Sequence, residues 1–296
     1  MLFPESQAAI EQAALETPVH TPGYDIAAAR RQARELAAGQ PREDVAEVED
    51  LDVDGVLCRL YRPSDPIDDG VVVHLHGGGF VFNDIEVHDA SVRRLTNRGR
   101  RAVLSVDYRL APEHPFPAAP DDVDTVVRWL EREGPARGLG GPMFAHGDSA
   151  GGTLAVVAAL RHPGRFAALA LIYPFLDPSC RFDSHRTEQA GFGPEEVAWY
   201  WHQYSGGDHA LYDHPEFAPL LSDQLWTLPP TFVMTSEHDP LRGEGEHLVR
   251  ILAQHRVQVV ACRYLGQIHG FWRHPQVFPA AEPLMDQVAS FLRSHP

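Results

Sequence analysis

The feature that most constrains the fold is an alternation of two kinds of segment that begins at Val71. Six short apolar runs rich in β-branched residues, from VVVHLH to VQVVACRYLG, alternate with segments of helix length. Such runs predict parallel strands that are buried on both faces, and the segments between them predict the covering helices. Those helices are expected near residues 87–97, 121–133, 149–161, 242–255 and 282–293. The chain is therefore predicted to be an α/β protein with a mostly parallel central sheet flanked by helices.

Three other segments complete the organisation of the chain. Residues 1–45 contain two helical patterns, and residues 46–62 alternate like an antiparallel strand pair that turns at Asp54-Gly55. Residues 181–222 interrupt the later alternation with one helical pattern, PEEVAWYWHQY, in irregular sequence. We expect one catalytic domain over residues 46–296, with residues 181–222 inserted over the carboxyl edge of its sheet.

The charge and composition exclude several classes of function. The formal net charge is −16, and a chain that repels phosphates is a poor candidate for nucleic acid or an anionic membrane surface. The chain contains no lysine, which excludes a Schiff base or a phosphate-loop lysine. Without a recognisable signal peptide or membrane span, we expect a cytoplasmic protein. Three cysteines without CxxC spacing suggest neither a disulfide framework nor a zinc site.

The strongest chemical signal is the pentapeptide GDSAG at residues 147–151. It lies between the strand-like PMFAH and a helix-like segment. A G-x-S-x-G motif at a strand-to-helix junction makes a sharp turn that lifts the serine hydroxyl above the sheet. Ser149 is therefore the predicted nucleophile.

A serine nucleophile needs a base and an acid that orients the base, expected in the chain order serine, acid, histidine. His269 follows the last strand-like run, where a loop would bring it to the carboxyl edge of the sheet. Asp239 directly follows the strand TFVMTSEH at the same edge, and Glu237 is the alternative acid. Ser149, Asp239 and His269 are the predicted catalytic residues.

A third element is HGGG at residues 76–79, immediately after the first strand-like run of the alternation. Glycines leave backbone N–H groups open to a developing oxyanion, so Gly77, Gly78 and Ala150 are the predicted donors. His76 is expected to brace this loop. A metal site at His74-x-His76 is disfavoured because glycines follow where further ligands would be needed. No metal or cofactor is expected.

These elements together resemble the hormone-sensitive-lipase-like family of α/β-hydrolase carboxylesterases. The resemblance runs from about residue 71 to residue 271 and includes DYRLAPE at residues 107–113, HPFPA at 114–118 and DPLR at 239–242. It implies an α/β-hydrolase fold and a serine carboxylesterase that hydrolyses small, short-chain acyl esters through an acyl-enzyme.

The resemblance also implies that residues 1–45 and the insertion 181–222 form a helical cap over the site. Within DYRLAPE it implies a structural role, consistent with Asp107 and Arg109 as a buried ion pair. Cap-segment and nearby aromatic residues are candidates to line the substrate pocket: Trp199, Tyr200, Trp201, Phe217 and Trp226.

Two alternatives remain for function. The same triad would serve an amidase or a lactonase. A non-catalytic ligand receptor is the other alternative, which the presence of His269 disfavours. The natural ester and the oligomeric state, a homodimer included, stay open at this point.

Overall fold

The computed structural model describes residues 1–295, which contain one eight-stranded sheet. Its strands are β1 (Glu47–Val53), β2 (Val56–Arg62), β3 (Val71–Leu75), β4 (Ala102–Val106), β5 (Met143–Asp148), β6 (Phe166–Ile172), β7 (Thr231–His238) and β8 (Val259–Ile268). Their order in the sheet is β1-β2-β4-β3-β5-β6-β7-β8. The β1–β2 and β2–β4 pairs are antiparallel, and all later pairs are parallel. The predicted mostly parallel sheet is confirmed.

Helices cover both faces of this sheet. They are α1 (Pro4–Ala13), α2 (Ile26–Ala38), α3 (Ile85–Gly99), α4 (Ala118–Glu133), α5 (Ala150–Arg161), α6 (Ser184–Thr187), α7 (Pro194–Ser205), α8 (Arg242–Gln254) and α9 (Ala281–Arg293). Val71 and Val73 of β3 belong to the core on the side of α4, α5 and α8, whereas Val72 belongs to the core beside α3 and α9. Alternate residues of a strand point to opposite faces, so continuous apolar strands fill both cores.

One sequence expectation about the DYRLAPE segment is wrong. Arg109 does not pair with Asp107; its guanidinium donates to both carboxylate oxygens of Asp122 on α4, at 2.7 Å to Oδ1 and 3.0 Å to Oδ2. The backbone N–H of Arg109 donates to the same carboxylate at 2.8 Å. The brace therefore ties the segment after β4 to the start of α4, a contact that spacing within the motif does not predict.

The topology brings the carboxyl ends of four parallel strands to one edge of the sheet. The segments after β3, β5, β7 and β8 carry, respectively, the HGGG loop, Ser149, Asp239 and His269. In open α/β sheets this edge is where ligands bind. No helix of the described residues is both long enough and apolar enough to cross a membrane.

Candidate active site

The turn between β5 and α5 holds Ser149 in a strained conformation. Its φ of 52° and ψ of −119° lie outside the regions that a residue with a side chain ordinarily adopts. The turn fits only because its neighbours are glycines. A Cβ on Gly147 would overlap the carbonyl of Gly151, and one on Gly151 would overlap the carbonyl oxygen of Leu75. This close packing lifts Ser149 to the sheet edge, as the motif predicts.

His269 lies between Ser149 and Asp239. Its Nε2 is 3.0 Å from the Ser149 Oγ, and its Nδ1 is 2.8 Å from Asp239 Oδ2. Asp239 is fully buried, and its other oxygen accepts a hydrogen bond from the Leu241 N–H at 2.8 Å. The three predicted residues therefore form one connected chain of hydrogen bonds.

The alternative acid, Glu237, makes different contacts. Its Oε2 accepts a hydrogen bond from the backbone N–H of Gly266 at 2.7 Å and lies 3.4 Å from His238 Nε2. The Gly266 N–H lowers the pKa of Glu237. Glu237 thus fastens the turn within β8 that leads to His269, and it does not contact the imidazole of His269.

The HGGG loop differs from expectation at its first glycine. The Gly77 N–H donates to Asp148 Oδ1 at 2.9 Å, and Gly77 does not line the cavity above Ser149. A Cβ on Gly77 would overlap the Asp148 carboxylate, so this glycine makes room for a buried acid. The N–H of Gly77 is therefore engaged inside the protein, which does not fit its expected role as an oxyanion donor.

Three other backbone N–H groups near Ser149 are free to bind an oxyanion. Among residues 1–295, none accepts a hydrogen bond from the backbone N–H of Gly78, Gly79 or Ala150. Gly78 and Gly79 line the cavity, and both have positive φ, at 126° and 60°. A Cβ on Gly79 would overlap the ring of Tyr200 from α7, so the loop and α7 meet as closely as a glycine allows.

His76 braces the HGGG loop, as its position suggests. Its Nδ1–H donates to the Gly77 carbonyl at 2.9 Å, and the Tyr108 hydroxyl donates to the His76 carbonyl at 2.7 Å. The rings of His76 and Tyr108 are stacked with centroids 4.2 Å apart. Asn83 also donates to the Gly77 carbonyl, at 3.0 Å. These contacts fix the loop that carries Gly78 and Gly79.

A cavity of about 310 Å³ opens above Ser149. Helix α1 contributes Ala9, Ile10 and Ala13, and the segment 190–200 contributes Phe192 and Tyr200 among others. Of the five aromatic residues proposed from the sequence, only Tyr200 lines the cavity. Trp201 and Phe217 are buried in the core, and Trp226 is 59% exposed.

Several residues that line this cavity are not predicted from the sequence. Phe175 follows β6 and Phe192 precedes α7, where neither lies in a regular pattern that could reveal its direction. Three acidic or basic residues outside the predicted triad, Asp148, Glu196 of α7 and Arg273, also line the cavity. The only signal for Arg273 in the sequence is its place four residues after His269.

Beneath the loop lies a row of buried histidines. His74 Nδ1 is 2.9 Å from His146 Nδ1, and His74 Nε2 is 3.3 Å from His88 Nδ1. Burial lowers the pKa of His146 to about 3 and holds those of His74 and His88 well below the usual value. The row is therefore neutral at pH 7.

The same row contains the residues that come nearest to a metal-binding cluster. Ligand atoms of His74, His88 and Asp148 lie within 4.8 Å of one another, whereas His76 is not in this group. Both ring nitrogens of His74 already bond to its neighbours in the row, whereas Nε2 of His88 and Nε2 of His146 have no partner among residues 1–295. A metal ion bound through His74 would have to replace one of these two hydrogen bonds.

The chain matches a family model described as "alpha/beta hydrolase fold" over residues 72–273. It is 34% identical over 271 residues to the esterase LipI of Mycobacterium tuberculosis, covering 86% of this chain and 84% of LipI. It is 33% identical over 297 residues to an ethyl acetate hydrolase of Pseudomonas putida, covering 94% and 92%.

Solved structures show the same similarity. An esterase of Pyrobaculum calidifontis superposes with a TM-score of 0.88 at 32% identity, covering 99% of both chains. An esterase described as belonging to the bacterial hormone-sensitive lipase family superposes with a TM-score of 0.86 at 27% identity, covering 100% of this chain and 99% of that one.

Proposed function

Because the chain belongs to the α/β-hydrolase family, among hormone-sensitive-lipase-like esterases, and is a carboxylic ester hydrolase, we propose that Ser149, His269 and Asp239 are its catalytic triad. The observation that carries the assignment is the pair of distances at His269, 3.0 Å to the Ser149 Oγ and 2.8 Å to Asp239 Oδ2. Both are hydrogen-bond distances, so each group is placed to act on the next.

The acylation step follows from these contacts. Asp239 accepts the Nδ1–H of His269, which leaves Nε2 unprotonated and facing the serine hydroxyl. As the Ser149 Oγ attacks the ester carbonyl, Nε2 takes its proton and later gives it to the leaving alcohol. The buried Asp239 carboxylate stabilises the imidazolium formed between these transfers. In deacylation, water attacks the acyl-enzyme by the same proton route and releases the acid.

We assign the oxyanion hole to the N–H groups of Gly78, Gly79 and Ala150. This assignment replaces Gly77 with Gly79, since the Gly77 N–H donates to Asp148. The three assigned N–H groups have no acceptor among residues 1–295 and flank Ser149. One such donor is worth about 3 to 4 kcal/mol of transition-state stabilisation in well-studied hydrolases.

The proposed cap consists of residues 1–45 and the insertion 181–222. Support comes from α1 and α7, which both line the cavity, and from Arg30 of α2, which donates to the Val81 carbonyl at 2.8 Å. A cavity of about 310 Å³ has room for a small ester, so we propose short-chain acyl esters as substrates. The ethyl acetate hydrolase similar to this chain is named for an ester of that size.

Kinetics of single variants on p-nitrophenyl acetate test the triad. Ser149→Ala and His269→Ala should reduce kcat/KM to background, and Asp239→Asn should lose about 10⁴-fold in kcat because the imidazole is left in the wrong tautomer. Glu237→Gln is the matched control and should retain activity close to that of the unmodified chain. Circular dichroism of each variant reports whether it is folded. Full activity in Asp239→Asn together with loss in Glu237→Gln would contradict the assignment.

A further inference from the structure

Arg273 lines the catalytic cavity and has no carboxylate partner among residues 1–295. In the described chain, Arg31, Arg250, Arg256, Arg273 and Arg293 have no carboxylate oxygen within 4.0 Å, unlike all the other arginines. Four of these five are exposed to solvent, where water satisfies the guanidinium. Arg273 alone is partly buried, so its missing partner needs an explanation.

Arg273 is half-buried in the wall of the catalytic cavity. The residue lines the cavity together with Ser149, Gly78 and Asp148. Burial raises the pKa of Asp148, and the positive charge of Arg273 is the largest influence opposing that rise. Its charge also acts on the buried Tyr173, whose ring is 4.3 Å from that of His269. Arg273 therefore brings a positive charge to the wall of the cavity that also holds Ser149 and His269.

No group of the described chain uses the hydrogen-bonding capacity of this guanidinium. Arg273 makes no side-chain hydrogen bond within residues 1–295, although a guanidinium carries five N–H donors in a rigid plane. The two carboxylates that line the cavity, Glu196 and Asp148, both lie beyond 4.0 Å from it; Glu196 accepts from the Gly193 N–H at 3.3 Å and Asp148 from the Gly77 N–H at 2.9 Å. The guanidinium N–H donors of Arg273 in the cavity wall therefore have no acceptor among residues 1–295.

We propose that Arg273 binds a free carboxylate carried by the substrate, so that the esters this enzyme prefers are anionic ones with a carboxylate a few bonds from the ester group. The inference rests on the proposed esterase function and names its substrate class. A planar guanidinium matches a carboxylate through two parallel hydrogen bonds, which gives direction as well as affinity. A chain of net charge −16 has little long-range attraction for anions, so local pairing in the cavity must supply the selectivity.

Two substrate classes carry this chemistry. In a half-ester of a dicarboxylic acid, such as monoethyl succinate, the carboxylate is on the acyl side. In an acylated hydroxy acid, such as acetoxyacetate, it is on the alcohol side. Each has a neutral counterpart of similar size, ethyl pentanoate and butyl acetate, and the two pairs distinguish the side on which Arg273 acts.

The test is the ratio of kcat/KM for the anionic ester to that for its neutral counterpart, measured in the unmodified chain and in Arg273→Gln. Because a hydrogen-bonded charge pair is worth about 10- to 100-fold in binding, the ratio should fall at least 10-fold in one of the two substrate pairs. Arg273→Lys keeps the charge but not the planar set of donors, so its ratio should lie between that of the unmodified chain and that of Arg273→Gln. Arg250→Gln, an exposed arginine on α8, is the matched control and should leave both ratios unchanged.

A ratio taken within one variant is insensitive to a general loss of folded protein. A fall of less than 10-fold in both pairs would overturn the role of Arg273 in substrate selection. That outcome differs from failure of the esterase proposal itself, which would appear as no Ser149-dependent hydrolysis of the neutral esters by the unmodified chain.

Discussion

Acidification should destabilise this protein through the buried row of His74, His88 and His146. Burial holds the pKa of His146 at about 3 in the folded state and those of the other two well below their usual value. In the unfolded chain a histidine titrates near pH 6.5, so below that pH the unfolded state binds more protons than the folded state. The free energy of unfolding is therefore highest above about pH 6.5 and falls as the pH decreases towards 3.

The size of the effect follows from linkage. A pH of 5 lies about 1.5 units below the pKa of an unfolded histidine, and each pH unit corresponds to about 1.4 kcal/mol of free energy. One histidine that stays neutral in the folded state therefore costs about 2 kcal/mol at pH 5 relative to pH 7.5. The three together would cost about 6 kcal/mol, a large part of the stability of a typical domain.

Urea unfolding monitored by circular dichroism from pH 7.5 to 5, at constant ionic strength, measures this dependence. Comparison with His146→Asn separates the histidine from the carboxylates that also titrate. Between pH 5 and 6 the slope of unfolding free energy against pH should be smaller in this variant by about 1.2 kcal/mol per unit, because roughly nine-tenths of an unfolded histidine is protonated over this range. His255→Asn removes an exposed histidine and should leave the slope unchanged. Equal slopes in the unmodified chain and His146→Asn would show that His146 does not stay neutral in the folded state at acidic pH.

The remaining predictions concern turnover. Since each further methylene gains up to about 0.8 kcal/mol only while the cavity has room, rates on p-nitrophenyl esters should peak at acyl chains of about two to six carbons, and a preference for long-chain triglyceride emulsions would contradict this. Because His269 must be neutral to accept the serine proton, kcat/KM should rise with pH through a single ionisation; a flat profile with chemistry limiting would exclude that base. Since no proposed step uses a metal, EDTA should leave kcat/KM unchanged, and loss of activity that Zn²⁺ or Fe²⁺ restores would redirect attention to His74, His88 and Asp148.

The parts of the fold that the sequence predicted are those with a local cause. Buried parallel strands must be apolar on both faces, so β3 to β7 were recognisable as short runs. The expectation of burial on both faces is wrong for β8, which lies at the edge of the sheet and is exposed or half-buried over residues 259–265. The turn at Ser149 needs glycines on both sides because other backbone atoms pack against it there. The five residues of the GDSAG motif are enough to show this requirement. Helix α7 was predicted for a similar reason, from its continuous helical segment PEEVAWYWHQY.

The parts that it did not predict depend on contacts between distant segments. Gly77 donates to Asp148, 71 residues away, and only that contact distinguishes it from Gly78 and Gly79. Arg109 reaches a carboxylate on another element, which spacing within its own motif does not reveal. Trp201 looks like Tyr200 in the sequence, but adjacent residues on a helix point in different directions, and only Tyr200 faces the cavity.

The mechanism depends on Ser149 being the nucleophile that His269 activates. Covalent labelling with a fluorophosphonate tests this directly, with the product read by intact mass and by mapping of the modified peptide. We expect one equivalent of label, located on Ser149, with loss of esterase activity in step with labelling and no label on Ser149→Ala. Stoichiometric inactivation with the label on another residue, or full esterase activity retained by Ser149→Ala, would contradict it.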